Sequence, residues 1–275
     1  MIKSNLPNAP LSEVIFEYRW PLTENVHLPE HFRGDPGYQV FADKFEGEVS
    51  ALGFVHLEKV AKGPFPQGYG VDRRFYKAKG QIFPLFQIGP GIFAANESSM
   101  YEWKTYRDFC LRGIKCMIES YPVMEKVKVR PRHLELRYID TFEYESGKRN
   151  DFLAFLINQT TFKVECDATS NGLASLLGQN VSNGQVSLVF DTQLPQGGKF
   201  HVTVGTGEKD TVPVVRLQTK VVSSSEQPFY VEKTPSEQTK YVRSWLDAAH
   251  EITSAFFKSF VRPELMQKFR GAEHV

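Results

Sequence analysis

From Leu11 to Trp20 the chain alternates between two kinds of side chain. Val14, Phe16, Tyr18 and Trp20 fall on one face of an extended segment. Glu13, Glu17 and Arg19 fall on the other, with Ile15 among them. A period of two over this length does not suit a helix; it marks a strand with one covered face and one polar face. The same split returns further on, so the chain is constrained to build a sheet whose two sides differ in chemistry.

The pattern returns over 126–144, expected as one long strand, and in three amphipathic strands of the later part. Val186, Leu188 and Phe190 face inward in the first of these, and Phe200, Val202 and Val204 in the second. The third, 212–222, is rich in Val and Thr. Residues 72–96 read as a meander with turns at Gly80 and at Gly89-Pro90-Gly91. Gly205-Thr206-Gly207 also reads as a hairpin turn.

Three segments have helical spacing instead. Tyr38, Phe41, Phe45, Val49 and Leu52 form one stripe, with Gly53 as its stop. A second helix is expected from Ser99, capped with Glu102 three residues on, with Trp103, Tyr106, Cys110, Ile114 and Met117 inward. The third runs from 235 to about 261, with Thr234 as cap, Glu237 completing a capping box and Pro235 at the first position. Its stripe is Trp245, Ala249, Ile252, Phe256 and Phe260, and Pro263 ends it. Few helices and consecutive strands predict an α+β fold with mainly antiparallel sheet. Two successive sheet-plus-helix blocks are expected, 1–147 and 148–275, either as two units or as one integrated domain. The first block suits a ferredoxin-like arrangement.

Composition narrows function by exclusion. Lys and Arg number 33 against 32 Asp and Glu, which gives broad electrostatic attraction to nucleic acid or an anionic membrane little to work with. No run approaches the roughly 18 apolar residues of a membrane span, and no apolar leader follows Met1. The three cysteines, Cys110, Cys116 and Cys166, are an odd and sparse set that suits a reducing compartment. A cytoplasmic protein is expected.

Several segments resemble a sporadically distributed bacterial protein family of unknown function. They are Asn8-Ala9-Pro10-Leu11-Ser12-Glu13-Val14, then Phe86-Gln87-Ile88-Gly89-Pro90-Gly91 with Tyr101-Glu102-Trp103. Leu136-Arg137-Tyr138-Ile139-Asp140 follows, and lastly Ala249-His250 with Phe256 beyond. Their order spreads over most of the chain, although the stretch 151–235 contributes nothing. The resemblance implies a bacterial or phage source and a stand-alone protein. It supplies no catalytic residues.

Candidate sites are therefore read from patterning. Lys126, Lys128, Arg130 and Arg132 share one strand face, which reads either as a set of phosphate contacts or as a solvated face or ion pairs with a neighbouring strand. His133, Glu135 and Arg137 share the opposite face. If that strand neighbours the first, Glu17, Arg19, Glu135 and Arg137 form a cross-strand ladder, either a hydrated sheet face or the floor of a polar pocket. His250, with Asp247 three residues before it to orient the ring, is added to that ligand set. Arg73 and Arg74 beside Phe75 and Tyr76 make a second basic-aromatic spot. No nucleophile elbow, metal-ligand set or cofactor loop is read, so no catalytic residue, metal or cofactor is assigned. The leading expectation is a non-enzymatic accessory protein acting through a protein partner, with homo-oligomerisation open and no membrane role. The alternatives are an enzyme or a small anionic-ligand-binding protein using the polar sheet face, and a nucleic-acid binder using 126–132.

Overall fold

In the computed structural model the alternating segments pair into one sheet. The structure describes residues 8–22, 34–60, 70–98, 101–122, 129, 131–143, 155–156, 158–161, 184–223 and 234–271. The elements are β1 (Leu11–Arg19), α1 (Tyr38–Ala51), β2 (His56–Lys59), β3 (Arg73–Tyr76), β4 (Leu85–Gly89) and β5 (Ile92–Glu97). They continue with α2 (Trp103–Ser120), β6 (His133–Glu143), β7 (Gln185–Asp191), β8 (Lys199–Lys209) and β9 (Val212–Val222). Two helices close the chain, α3 (Pro235–Phe260) and α4 (Pro263–Phe269). The sheet has nine strands in the order β2-β3-β4-β5-β1-β6-β9-β8-β7. Every neighbouring pair is antiparallel. The fold is α+β with antiparallel sheet.

The expected boundary near 147 does not divide the sheet. β6 belongs to the first block and β9 to the second, and they pair along Glu135–Glu143. Within the first block, the order β4-β5-β1-β6 with α1 and α2 as connections is the ferredoxin-like arrangement, widened at its edge by β2 and β3. The second block extends the same sheet from the other side.

One face of this sheet meets the helices. Val14, Phe16, Tyr18 and Trp20 are fully buried there. Phe45 of α1 meets Phe93 of β5, Phe109 of α2 stacks on Phe86 of β4, and Trp245 of α3 meets Phe16 of β1. Aromatic side chains carry much of this layer, as expected for residues that each bury 150–250 Å². In α3 the buried stripe also includes Val242, Leu246 and Thr253, whereas Ile252 and Phe256 are only half-buried. Among the described residues no helix is long and apolar enough to cross a membrane.

Several local expectations change on physical grounds. Ser99 lies outside the described residues; the described helix begins at Trp103, where the Glu102 carboxylate accepts from the backbone N–H of Lys104 and Thr105. A carboxylate at that place also complements the helix dipole. Gly205-Thr206-Gly207 is inside β8, and the turn falls later at Asp210 and Thr211, both with positive φ as a primed hairpin turn requires. Pro263 ends α3 and also opens α4, where its missing N–H costs nothing. Of the expected strand over 126–144, the described part is β6. Thr234 and Glu237 do form the reciprocal capping box at the start of α3.

Gly113 shows how closely α2 lies on the sheet. A Cβ there would sit 2.5 Å from a ring atom of Phe86 and 2.6 Å from one of Phe93. Alanine normally gains about 1 kcal/mol over glycine within a helix. Here overpacking should win, and Gly113→Ala is expected to lower stability by about 1–3 kcal/mol. A denaturant titration showing Gly113→Ala equal to or more stable than wild type would contradict this contact.

Candidate functional site: the polar face of the sheet

The period of two that sends Phe16 and Tyr18 into the core sends Glu13, Ile15, Glu17 and Arg19 to the other face. Pairing of β1 with β6 sets Glu17 opposite Glu135, Arg19 opposite His133 and Ile15 opposite Arg137. Pairing of β6 with β9 sets Arg137 opposite Lys220, and pairing of β9 with β8 sets Lys220 opposite His201. The four ladder residues expected together, Glu17, Arg19, Glu135 and Arg137, are together at the middle of the sheet. Among the described residues no helix covers this face.

Two like charges, Glu17 and Glu135, face each other directly, which is destabilising unless cations intervene. Arg137 supplies that. Its Nε donates to Glu135 Oε1 at 2.7 Å, its Nη2 also donates to that oxygen, and Nη2 lies 3.8 Å from Glu17 Oε1. Arg19 donates to Glu17 through Nε at 3.1 Å and Nη2 at 2.6 Å. The second Glu135 oxygen is 3.6 Å from Lys220 Nζ and 3.7 Å from His133 Nε2. The Glu135 side chain is 5% exposed, while those of Arg137 and Lys220 are 25% and 27% exposed. The buried acid is thus the anchor, and the reachable groups are the cations.

Burial pushes the Glu135 carboxyl up, but His133, Arg137 and Lys220 together outweigh it and hold it at about 2. Burial and the nearby Lys220 lower the His201 imidazole. At the centre of the ladder three cations, Arg19, Arg137 and Lys220, stand against the two carboxylates, while Glu13, further along β1 on the same face, accepts from the Asn96 amide at 2.7 Å. The surplus at that centre is positive, and the arginine heads are already oriented by Glu17 and Glu135. Such an arrangement can receive an anionic group with little reordering.

His250 does not join this set. It lies on the helix side, where Tyr138 turns inward from β6. The Tyr138 hydroxyl is 2.9 Å from His250 Nδ1 and 2.8 Å from the Tyr101 hydroxyl, which is itself 3.5 Å from Nδ1. Asp247 does not orient His250. It accepts from Arg107 Nη1 at 3.0 Å and from Trp103 Nε1 at 3.2 Å, and the Trp103 ring stacks on the imidazole at 4.0 Å. Burial, with help from Lys258, lowers the His250 imidazole to about 4 although Asp247 opposes it, so the ring is neutral at neutral pH. Tyr138 is the positioning group.

The remaining candidates are placed as follows. Lys126, Lys128 and Arg130 lie outside the described residues. Arg132 is exposed, and its backbone N–H donates to the Arg19 carbonyl. Arg73 and Arg74 point to opposite faces: Arg73 is buried under α1 with Asp43 and Glu46, and Arg74 pairs with Glu58. Cys110 and Cys116 are free thiols, both buried, and burial raises Cys116 to about 11, so neither is a ready nucleophile. Cys166 is outside the described residues. No cluster of metal-ligating side chains occurs among the described residues. A cavity of about 240 Å³ lies on the helix side, lined by Val186, Leu188, Val202, Val204, Phe256 and Phe260, away from the charged ladder.

Lys220 and His201 escaped the sequence reading, and Tyr101, Tyr138 and Asp140, although they lie in the resembling segments, were assigned no role there. Only strand register brings Lys220 to Glu135, and register across a long connection is not written in either strand. No family model, no curated protein and no solved structure matches the chain.

Proposed function

We propose that the protein is a non-enzymatic, cytoplasmic binding component of a bacterial multi-gene system, and that it holds a protein partner against the polar face of the sheet. The observation that supports this reading is the ladder itself. Arg19, Arg137 and Lys220 are partly exposed in the middle of a face that no described helix covers, and two largely buried carboxylates orient them. An acidic patch on the partner would complement the surplus charge.

The test is affinity capture from the native host with the tagged chain. A specific partner should be retained at low salt and released as ionic strength rises. The double variant Arg137→Ala with Lys220→Ala should retain about tenfold less of it, equivalent to about 1.4 kcal/mol. Equal retention by the folded double variant would sink the proposal. The positive surplus also supports a second reading, a small anionic ligand seated in the same place. Native mass spectrometry of the purified chain separates the two, since a small ligand adds tens to hundreds of daltons and a partner adds thousands.

A further inference from the structure

We infer that the cluster running from Asp140 through Tyr101 and Tyr138 to His250 and Trp103 is a second binding site, on the helix side of the sheet, for a small primary ammonium ion.

Asp140 carries the argument. It is on β6 two residues beyond Tyr138, so the two side chains share the core face. Its strand neighbours are Leu11 and Leu217, neither of which can pair with a carboxyl. Among the described residues it has no hydrogen-bond or ion-pair partner, although it is only 6% exposed. Buried carboxylates are ordinarily paired, and one without a partner calls for an explanation. Asp140 keeps 6% of its surface exposed, so the residue is not sealed off completely.

The surroundings select the sign of that ligand. Tyr101 and Tyr138 meet edge to face with ring centroids 5.8 Å apart, and Trp103 lies flat on a neutral imidazole. Phenol oxygens, a neutral ring and π-faces all favour a cation. The arginine that α2 brings to this junction, Arg107, pairs through its Nη atoms with Asp247 and Asp108, while its buried Nε has no partner among the described residues. An anion would meet a carboxyl and the negative faces of aromatic rings. The narrow exposure of Asp140 favours a slender –NH₃⁺ head, whose donors suit a carboxylate, over a bulky quaternary group.

Ammonium binding requires Asp140 to ionise, so it should release a proton where Asp140 starts protonated. The other titratable groups facing the cluster are Tyr101, Glu102, Tyr106 and Cys110 from α2 and its approach, Tyr138 from β6, and Asp247, His250 and Lys258 from α3. The phenols and the buried thiol do not ionise near neutral pH.

The experiment is calorimetric titration of the whole chain with n-propylammonium chloride, against sodium chloride at equal ionic strength. At about pH 8 we expect saturable binding in the millimolar range, and at about pH 6 weaker binding with a heat that varies with the buffer. Asp140→Asn, which removes a buried charge and should fold, is expected to bind at least about tenfold more weakly. Absence of saturable binding to wild type, or equal binding by Asp140→Asn, would overturn the site. Neither result bears on the polar face, which is on the other side of the sheet.

Discussion

Replacing Glu135 by Ala should lower stability by about 3 kcal/mol. Removing one partner from a buried ion pair typically costs about 3–5 kcal/mol, because the other charge is left without compensation. Glu135 has two fixed cations around it, Arg137 and Lys220, and neither is fully buried. Arg137 also has a second acid within 3.8 Å, Glu17, towards which it can turn. Those two facts place the expected loss at the lower end of the range. The pH dependence gives an independent reading. Glu135 is held at about 2, below its usual 4.5. A folded value below the unfolded one contributes stability that is present above about pH 5 and is lost as pH falls through 2. The shift corresponds to about 3 kcal/mol. Glu135→Gln should therefore lack the wild-type loss between about pH 5 and pH 2. Denaturant midpoints across that range check both statements, and a Glu135→Ala loss below about 1 kcal/mol would mean that the ladder is an ordinary hydrated surface.

The second large effect has the opposite sign. Burial alone raises the Asp140 carboxyl to about 7 from its usual 3.8. A folded value above the unfolded one means that the folded chain holds the proton more tightly. The charged form is penalised, and stability falls as pH rises from about 4 to about 7, then stays low. The full penalty is about 4 kcal/mol. Asp140→Asn removes it, less about 1–3 kcal/mol for an amide that also lacks a partner. Above about pH 8 the variant should be more stable than wild type by roughly 2 kcal/mol, and its stability should not decline between pH 4 and 7. A wild-type profile flat over that interval would show that Asp140 is paired. The Glu135 and Asp140 windows barely overlap, so one stability profile with the two variants resolves them.

How much of this was legible in the sequence depended on the range of the interaction. The face split of β1, the capping box at Thr234 and Glu237, and the stripes of α1 and α2 are local patterns, and local geometry follows from them. The adjacency of β1 and β6 was inferable because both strands carried the same split and their polar faces held complementary charges. The position of His250 was not. A helix periodicity shows that a residue lies near one edge of a stripe, but not which side of the sheet the helix covers. Asp140 was hidden for a related reason. It sits at an inward position of β6, where its carboxyl reads as a break in the pattern, and only the packing of α2 and α3 shows that no described residue answers it. Gly205 misled because a glycine pair normally marks a turn, whereas Gly205 lies where a Cβ would come 3.2 Å from the Gly184 carbonyl oxygen.

The most direct test of the polar face as the binding surface is lysine footprinting with an amine-reactive label. Lys220 sits in the ladder, and Lys115 projects from the outer side of α2 with a side chain 69% exposed. Labelling in native host extract is compared with labelling of the purified chain. The proposal predicts that Lys220 is protected in the extract by a large factor, about tenfold or more, while Lys115 reacts equally in both. Equal labelling of Lys220 in the two samples, with protection confined to Lys115, would contradict it and move the interface to the helical side.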